Sequence, residues 1–227
     1  MSKKKKRYIM IIDLRKCIGC KTCSVACCTE NNISTTTNPW NIVMNVMGGD
    51  FPTYERQLIP KSCMHCEDAP CVKVCPTGAS FKYEDGGQVL VNYDQCIGCR
   101  GCMTACPYEA RVFNWEKPQK TYPDNPDVSP RKIGVVEKCT FCIHKVKKAH
   151  EEGKQVGTTI TNKDNKSVVS PACVMNCVGD ARYFGDINDT NSEVYQLLKN
   201  NKHKVLAKKA GTKPNVYYLG LKEQFAS

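Results

Sequence analysis

The chain has 227 residues, enough for one domain or two small ones sharing a core, with 41% hydrophobic and 8% aromatic residues. A mean hydropathy of −0.44 and a longest apolar run of only Tyr8–Ile12 exclude a bilayer-crossing helix of ~20 apolar residues. The formal net charge of +11, taken alone, suggests nucleic acid or an anionic surface, but seventeen cysteines dominate the composition.

The first seven residues, MSKKKKR, read as a solvated tail. No apolar h-region follows them and no twin-arginine pair is present. The expectation is either a cytoplasmic protein or one carried, already folded, to the periplasm or the outer face of the cytoplasmic membrane by a signal-bearing partner. Tyr8–Asp13 (YIMIID) predicts a strand, and Ser24–Thr29 begins a short helix. Asn31–Pro60 reads as a long connection with weak periodicity. The turn signal Asp85–Gly86–Gly87 predicts a hairpin between Ser80–Glu84 and Gln88–Asn92. A second short helix covers Met103–Ala105 and is ended by Pro107. Lys117–Ser129 is proline-rich and Gly153–Pro171 polar and turn-rich; connections this long are usually functional or interface-forming. Asn191 or Ser192 can cap a helix with Val194, Leu197 and Leu198 on one face. Pro214–Leu219 reads as an apolar strand or arm that needs something to pack on.

The cysteines fall into four groups, with one left over. They are Cys17, Cys20, Cys23 and Cys27; Cys63, Cys66, Cys71 and Cys75; Cys96, Cys99, Cys102 and Cys106; and a split group of Cys139, Cys142, Cys173 and Cys177. The first and third are an internal repeat, CIGCKTCSVAC and CIGCRGCMTAC, identical at seven of eleven positions. Tight grouping and the absence of a readable secretory signal argue against a disulfide scaffold. Zinc sites use two C-x2-C pairs, whereas C-x2-C-x2-C-x3-C-P lets three thiolates converge on one iron–sulfur cubane. The short loop aims backbone N–H groups at the sulfides, with Gly19 and Gly98 easing the turn. The fourth cysteine of such a run binds the neighbouring cluster.

That rule predicts four [4Fe–4S] clusters. One takes Cys17, Cys20, Cys23 and Cys177, and its neighbour takes Cys139, Cys142, Cys173 and Cys27. Another takes Cys63, Cys66, Cys71 and Cys106, and its neighbour takes Cys96, Cys99, Cys102 and Cys75. Each oxidised site carries about two negative charges, so four of them offset roughly eight of the eleven positive ones and weaken the nucleic-acid reading. Cys28 is left as a small buried hydrophobe, and His65, inside the second group, can tune its cluster by hydrogen bonding. His144, His150 and His203 have no metal role to fill. Arg100, Lys21, Arg111 and Lys138 read as countercharges or interface residues. No nucleophile–base pair, dinucleotide fingerprint or phosphate loop is present, so the chain is not an enzyme by itself.

The motifs IDLRKCIGCKTCSVAC, CMHCEDAPCVKVCPTGA, YDQCIGCRGCMTACPYEARVFN, VEKCTFCIHKV and PACVMNCVGDARYFGDIND run from Asp13 to Asp189. Together they resemble the four-cluster electron-transfer subunits of molybdopterin oxidoreductases of the dimethyl-sulfoxide-reductase type. The resemblance implies a large catalytic partner carrying a molybdenum or tungsten bis-pterin, and a membrane quinone-interacting subunit or a cytochrome as the other partner. It agrees with the crosswise ligation and implies an order. The Cys17/20/23/177 cluster lies nearest the catalytic subunit, followed by Cys27/139/142/173, Cys63/66/71/106 and Cys75/96/99/102. Relatives that hold a three-iron cluster replace the ligand aligned with Cys99; here it is cysteine. Cys28 and Val178 stand where many relatives have proline, which alters local loop geometry and potential but leaves ligation intact. The chain looks closest to arsenate, tetrathionate and polysulfide reductase subunits. A stand-alone soluble polyferredoxin is the alternative. The expected fold is α+β: two interleaved bacterial ferredoxin-like modules with pseudo-twofold symmetry. Residues 1–35 and 131–190 form the outer module and 61–116 the inner one. Residues 36–60 and 117–130 are connecting loops, and 191–227 are a C-terminal helix and partner-binding arm.

Overall fold

The computed structural model describes residues 5–33, 39–117, 123–158 and 168–226. The start of the basic tail and stretches of the 31–60, 117–129 and 153–171 connections lie outside the described residues. In chain order the elements are β1 (Tyr8–Asp13), α1 (Thr22–Glu30), β2 (Ile42–Gly48), β3 (Glu55–Lys61), α2 (Pro70–Lys73), β4 (Ser80–Lys82), β5 (Val89–Val91) and α3 (Gly101–Thr104). The second half holds β6 (Val112–Phe113), β7 (Val136–Glu137), α4 (Ile143–Glu151), β8 (Gln155–Val156), β9 (Val168–Val169), α5 (Ala172–Met175), β10 (Arg182–Asp186), α6 (Glu193–Asn200), β11 (His203–Lys204) and β12 (Val216–Leu219). Short helices among small sheets make this the mixed α+β architecture of ferredoxin-like iron–sulfur domains.

The largest sheet has the order β10-β1-β12-β11. β1 runs antiparallel to β10, pairing Tyr8 with Asp186 and Ile12 with Arg182, and parallel to β12, pairing Met10 with Val216. All six β1 residues are buried, because both faces of the strand are covered. Met10 and Ile12 join Phe184, Val216 and Tyr218 in the main core, while Ile9 and Ile11 join Tyr183, Leu219 and Val194 of α6. A strand covered on both faces reads as an unbroken apolar run rather than an alternating one. Ser192 caps α6, its Oγ accepting from the Tyr195 N–H at 3.3 Å.

Of two further stretches, one forms the expected apolar strand and one differs from expectation. The segment at Pro214–Leu219 supplies β12, an interior strand of the chain's own sheet, with Val216, Tyr218 and Leu219 fully buried. The Tyr218 hydroxyl donates to the Pro60 carbonyl at 2.9 Å, and the residues just before β12 hydrogen-bond along the second cysteine loop, with the Asn215 N–H donating to Met64 O at 2.8 Å. This stretch packs on β1. The long connection at Asn31–Pro60 contains the antiparallel hairpin β2–β3, paired from Ile42–Lys61 to Gly48–Glu55. Both its faces are partly exposed, so burial imposes little alternation on the sequence.

The β4–β5 hairpin forms where the turn signal placed it. α1 packs on α5, joining the first group to the end of the fourth, and α2 packs on α3, joining the second to the third.

Candidate metal centre

The repeated loops share one backbone. Gly19 and Gly98 have φ of 71° and 69°, and Lys21 and Arg100, immediately before α1 and α3, have φ of 60° and 61°. This left-handed turn tips Cys23 and Cys102 onto the helices while leaving Cys20 and Cys99 exposed. A Cβ on Gly98 would sit 2.2 Å from the Gly134 carbonyl oxygen, so that position tolerates only glycine.

The structure brings several of the sulfurs into neighbourhoods that cross the sequence groups. Cys17, Cys20, Cys23 and Cys177 line one hollow with Val43 and Arg182. Burial raises the Cys17 thiol, with Cys23 and Cys177 adding to the effect. Burial drives Cys27 well up, and its nearest charged neighbours are Cys139, Cys142 and Cys173. Cys66 is pushed by burial to about 12, with Cys63, Cys71 and Cys106 around it. Cys106 likewise faces Cys63 and Cys71. Cys102 has Cys96 and, from the adjacent set, Cys71 beside it. Cys75 lies just past α2, where the N–H of Ser80 donates to its sulfur at 3.4 Å.

Zinc requires sulfurs about 2.3 Å from a single ion. Among the described residues no three His, Cys, Asp or Glu side chains close on one metal ion. The sulfurs are instead supplied with donors, as anionic cluster ligands require. The N–H of Ala181 reaches Cys177 at 3.3 Å, that of Phe141 reaches Cys139 at 3.4 Å, and that of His65 reaches Cys63 at 3.5 Å. The Asn31 amide lies 3.7 Å from Cys27 Sγ and 3.9 Å from Cys142 Sγ.

Buried cations complete the surroundings. Arg182 donates to Cys23 Sγ at 3.5 Å, to Cys173 Sγ at 3.7 Å and to Asn41 Oδ1 at 2.9 Å. Burial opposes its charge, but Cys173 and Cys23 outweigh burial and hold the proton more tightly than usual. Arg111 is also buried, donates to Ser80 Oγ at 2.7 Å, and faces Cys71 and Cys102. Lys138 donates to the carbonyls of Val89 and Cys139; burial lowers its pKa, while Cys63 and Cys139 act the other way.

Arg111 and Lys138 lie where the countercharge expectation puts them, while the Arg100 guanidinium lies over the exposed Trp115 ring at 4.9 Å. The His65 ring makes no bond to sulfur: its Nδ1 accepts from the Val89 N–H at 3.1 Å and it stacks on Phe141. Any influence it has on Cys63 runs through its backbone N–H. His144 pairs with Glu30 at 2.7 Å, and His150 with the Tyr8 hydroxyl at 2.8 Å. Cys28 is buried on α1, and burial raises its thiol. Sequence reasoning missed Arg182, Asn41 and Asn31. A signal for Arg182 existed: CPYEAR and CVGDAR place an arginine five residues after Cys106 and after Cys177.

The 4Fe-4S dicluster domain family matches residues 54–161. A dimethyl sulfoxide reductase iron–sulfur protein of Halobacterium salinarum is 43% identical over 93% of this chain and 78% of its own length. The chain belongs to the iron–sulfur subunits of the dimethyl-sulfoxide-reductase type. Two further members are similar along nearly all of both chains. The menaquinone reductase iron–sulfur cluster-binding subunit of Nitratidesulfovibrio vulgaris is 40% identical over 96% of this chain and 90% of its own length. The arsenate respiratory reductase iron–sulfur subunit of a Shewanella species is 38% identical over 94% and 96%. Membership makes this chain a non-catalytic electron-transfer subunit of a respiratory reductase.

Proposed function

We propose that the sixteen cysteines hold four [4Fe–4S] clusters in the crosswise sets given above, and that the chain relays electrons between a quinol-linked membrane subunit or carrier and a molybdenum- or tungsten-bis-pterin catalytic subunit. The observation that carries this reading is the convergence of cysteines from opposite ends of the sequence, Cys17, Cys20 and Cys23 with Cys177, on one hollow. When bound, the clusters accept and release single electrons. The chain's residues hold them by thiolate, direct N–H groups at the sulfurs and exclude water from the inner sets. The α1–α5 and α2–α3 contacts support two interleaved modules related by pseudo-twofold symmetry.

Two partners, rather than free shuttling, are supported by the surface. Each exposed loop cysteine has exposed apolar neighbours: Ile18, 63% exposed, and Val178 on the Cys20 loop side, and Ile97, 67% exposed, and Trp115 on the Cys99 side. Aliphatic and aromatic side chains left in water around a redox loop suit a docking surface. Between arsenate, tetrathionate and polysulfide chemistry the relatives favour arsenate and tetrathionate. We place the complex outside the cytoplasmic membrane, exported folded with a signal-bearing partner; protease accessibility in spheroplasts tests that placement. The main test is anaerobic purification. About sixteen Fe per chain and a large pterin-containing polypeptide that co-elutes are expected, with Ile18→Glu releasing that polypeptide at unchanged iron content. A monomer with full iron and no partner would return the reading to a polyferredoxin.

A further inference from the structure

We propose that Arg182 and Arg111 are interposed charges, each fixed between two neighbouring iron–sulfur clusters and raising the reduction potentials of both. The inference rests on the ligand sets proposed above. Arg182 bonds to Cys23, of the Cys17/20/23/177 set, and to Cys173, of the Cys27/139/142/173 set. Arg111 stands against Cys71, of the Cys63/66/71/106 set, and Cys102, of the Cys75/96/99/102 set. Arg182 thus bonds to both members of one cluster pair, and Arg111, held by Ser80, lies within electrostatic reach of both members of the other.

Both arginines follow the fourth cysteine of a group by five residues, in CPYEAR and CVGDAR. The first two groups, whose fourth cysteines are Cys27 and Cys75, have Asn32 and Ser80 at that offset instead. One cation per pair is therefore built in, on one side of each pair. Geometry locks them: Asn41 holds the Arg182 guanidinium at 2.9 Å and Ser80 holds that of Arg111 at 2.7 Å. Both side chains are almost fully buried, so neither water nor salt screens them as it would a surface charge. A guanidinium keeps its charge at every accessible pH. Its fork also lets one residue donate to sulfurs on opposite sides, which a lysine ammonium on one stem does less well. Lys138, against Cys63 and Cys139, occupies the gap between the two pairs.

Reduction adds one negative charge to a cluster, and a fixed cation nearby favours the reduced form. A cation fixed beside ligands of two clusters acts on both. The useful consequence is that neighbouring sites rise together, so the step between them stays small while the pair as a whole is set by one residue.

The test uses the full chain in its native complex, titrated potentiometrically with each cluster followed by electron paramagnetic resonance. Arg182→Gln is expected to lower the reduced-to-oxidised ratio of two clusters, the Cys17 and Cys27 sets, by about tenfold at fixed potential, or about 59 mV for a one-electron couple. The other two stay within twofold. Arg111→Gln shifts the complementary pair and keeps the test alive if the first variant loses iron. Arg182→Lys restores both ratios to within about threefold, which a purely structural role would not require. A shift confined to one cluster, or equal in all four, overturns the proposal. Fewer than four cluster signals in the unmodified complex would instead sink the ligand assignment beneath it.

Discussion

Cys106 separates crosswise ligation from ligation within a sequence group. It belongs to the third group by sequence, yet its thiol faces Cys63 and Cys71 of the second, and Cys66 counts it among its own neighbours. Cys106→Ala should therefore cost one cluster, about four of about sixteen Fe. Pairing it with a second substitution makes the count decisive without assigning spectra. Cys106→Ala with Cys66→Ala removes two ligands of the same cluster, so the loss stays near four Fe. Cys106→Ala with Cys99→Ala strikes two clusters, so about eight are lost. Residues that act on one shared unit are non-additive and independent ones add. The assay is iron and acid-labile sulfide per chain after anaerobic gel filtration. If the Cys66 pair loses eight Fe and the Cys99 pair four, the crosswise assignment fails.

Tyr218→Phe leaves the Pro60 carbonyl without its buried donor, and should cost about 0.5–1.5 kcal/mol in denaturant titrations of the iron-loaded chain; an unchanged midpoint would mean that water replaces the hydroxyl. Gly98→Ala drives a Cβ into the Gly134 carbonyl and should lose the iron held by that loop, whereas Gly78→Ala meets no atom within 4 Å and should cost only the ~1–2 kcal/mol of a left-handed residue. The Arg15 guanidinium, bonded to Asp13 at 2.7 and 2.8 Å, overcomes the effect of burial and holds this carboxyl below its usual range. A lowered value stabilises the fold above the unfolded pKa of about 3.9 and is lost as pH falls through the folded value. The stability gap between wild type and Asp13→Asn should therefore be flat from pH 8 to pH 5, and narrowing within that window would refute the pairing. Stripping iron should leave a poorly structured chain by circular dichroism; a cooperative apo transition would count against coupled folding.

The parts of the fold that chemistry dictates at short range were legible. Tyr8–Asp13, the turn at Asp85–Gly87 and the capped helix after Ser192 carry their signals within a few residues, and the structure forms each of them. The cysteine loops were readable because three thiolates two residues apart leave the backbone one option, visible in the shared dihedrals of Gly19 and Gly98. The β2–β3 hairpin was not readable, since two half-exposed faces impose no clean alternation. Nor was the interior place of β12. Its parallel pairing with β1 joins residues about two hundred positions apart, and nothing local specifies such a pairing. Arg182 was missed for a different reason. A lone arginine at the start of an apolar strand looks like a surface residue until the repeat with Arg111 is noticed.

The basic excess, which first pointed outward to an anionic partner, also has an inward target. Arg182, Arg111 and Lys138 are all buried, and removing a cation from water costs several kcal/mol unless it is paired. Neutral thiols cannot pair with them. Burial, with neighbouring thiols adding to it, carries Cys139 and Cys66 to about 12, so without metal these two keep their protons at neutral pH. Besides its cysteine contacts Arg182 holds neutral acceptors, the Asn41 amide oxygen and the Met10 sulfur, and Arg111 holds the Ser80 hydroxyl. Metal ligation deprotonates the thiols and supplies the missing anions in the same step. The buried cations thus penalise the metal-free fold and stabilise the loaded one, which ties the decision to fold to the presence of the clusters the chain exists to carry.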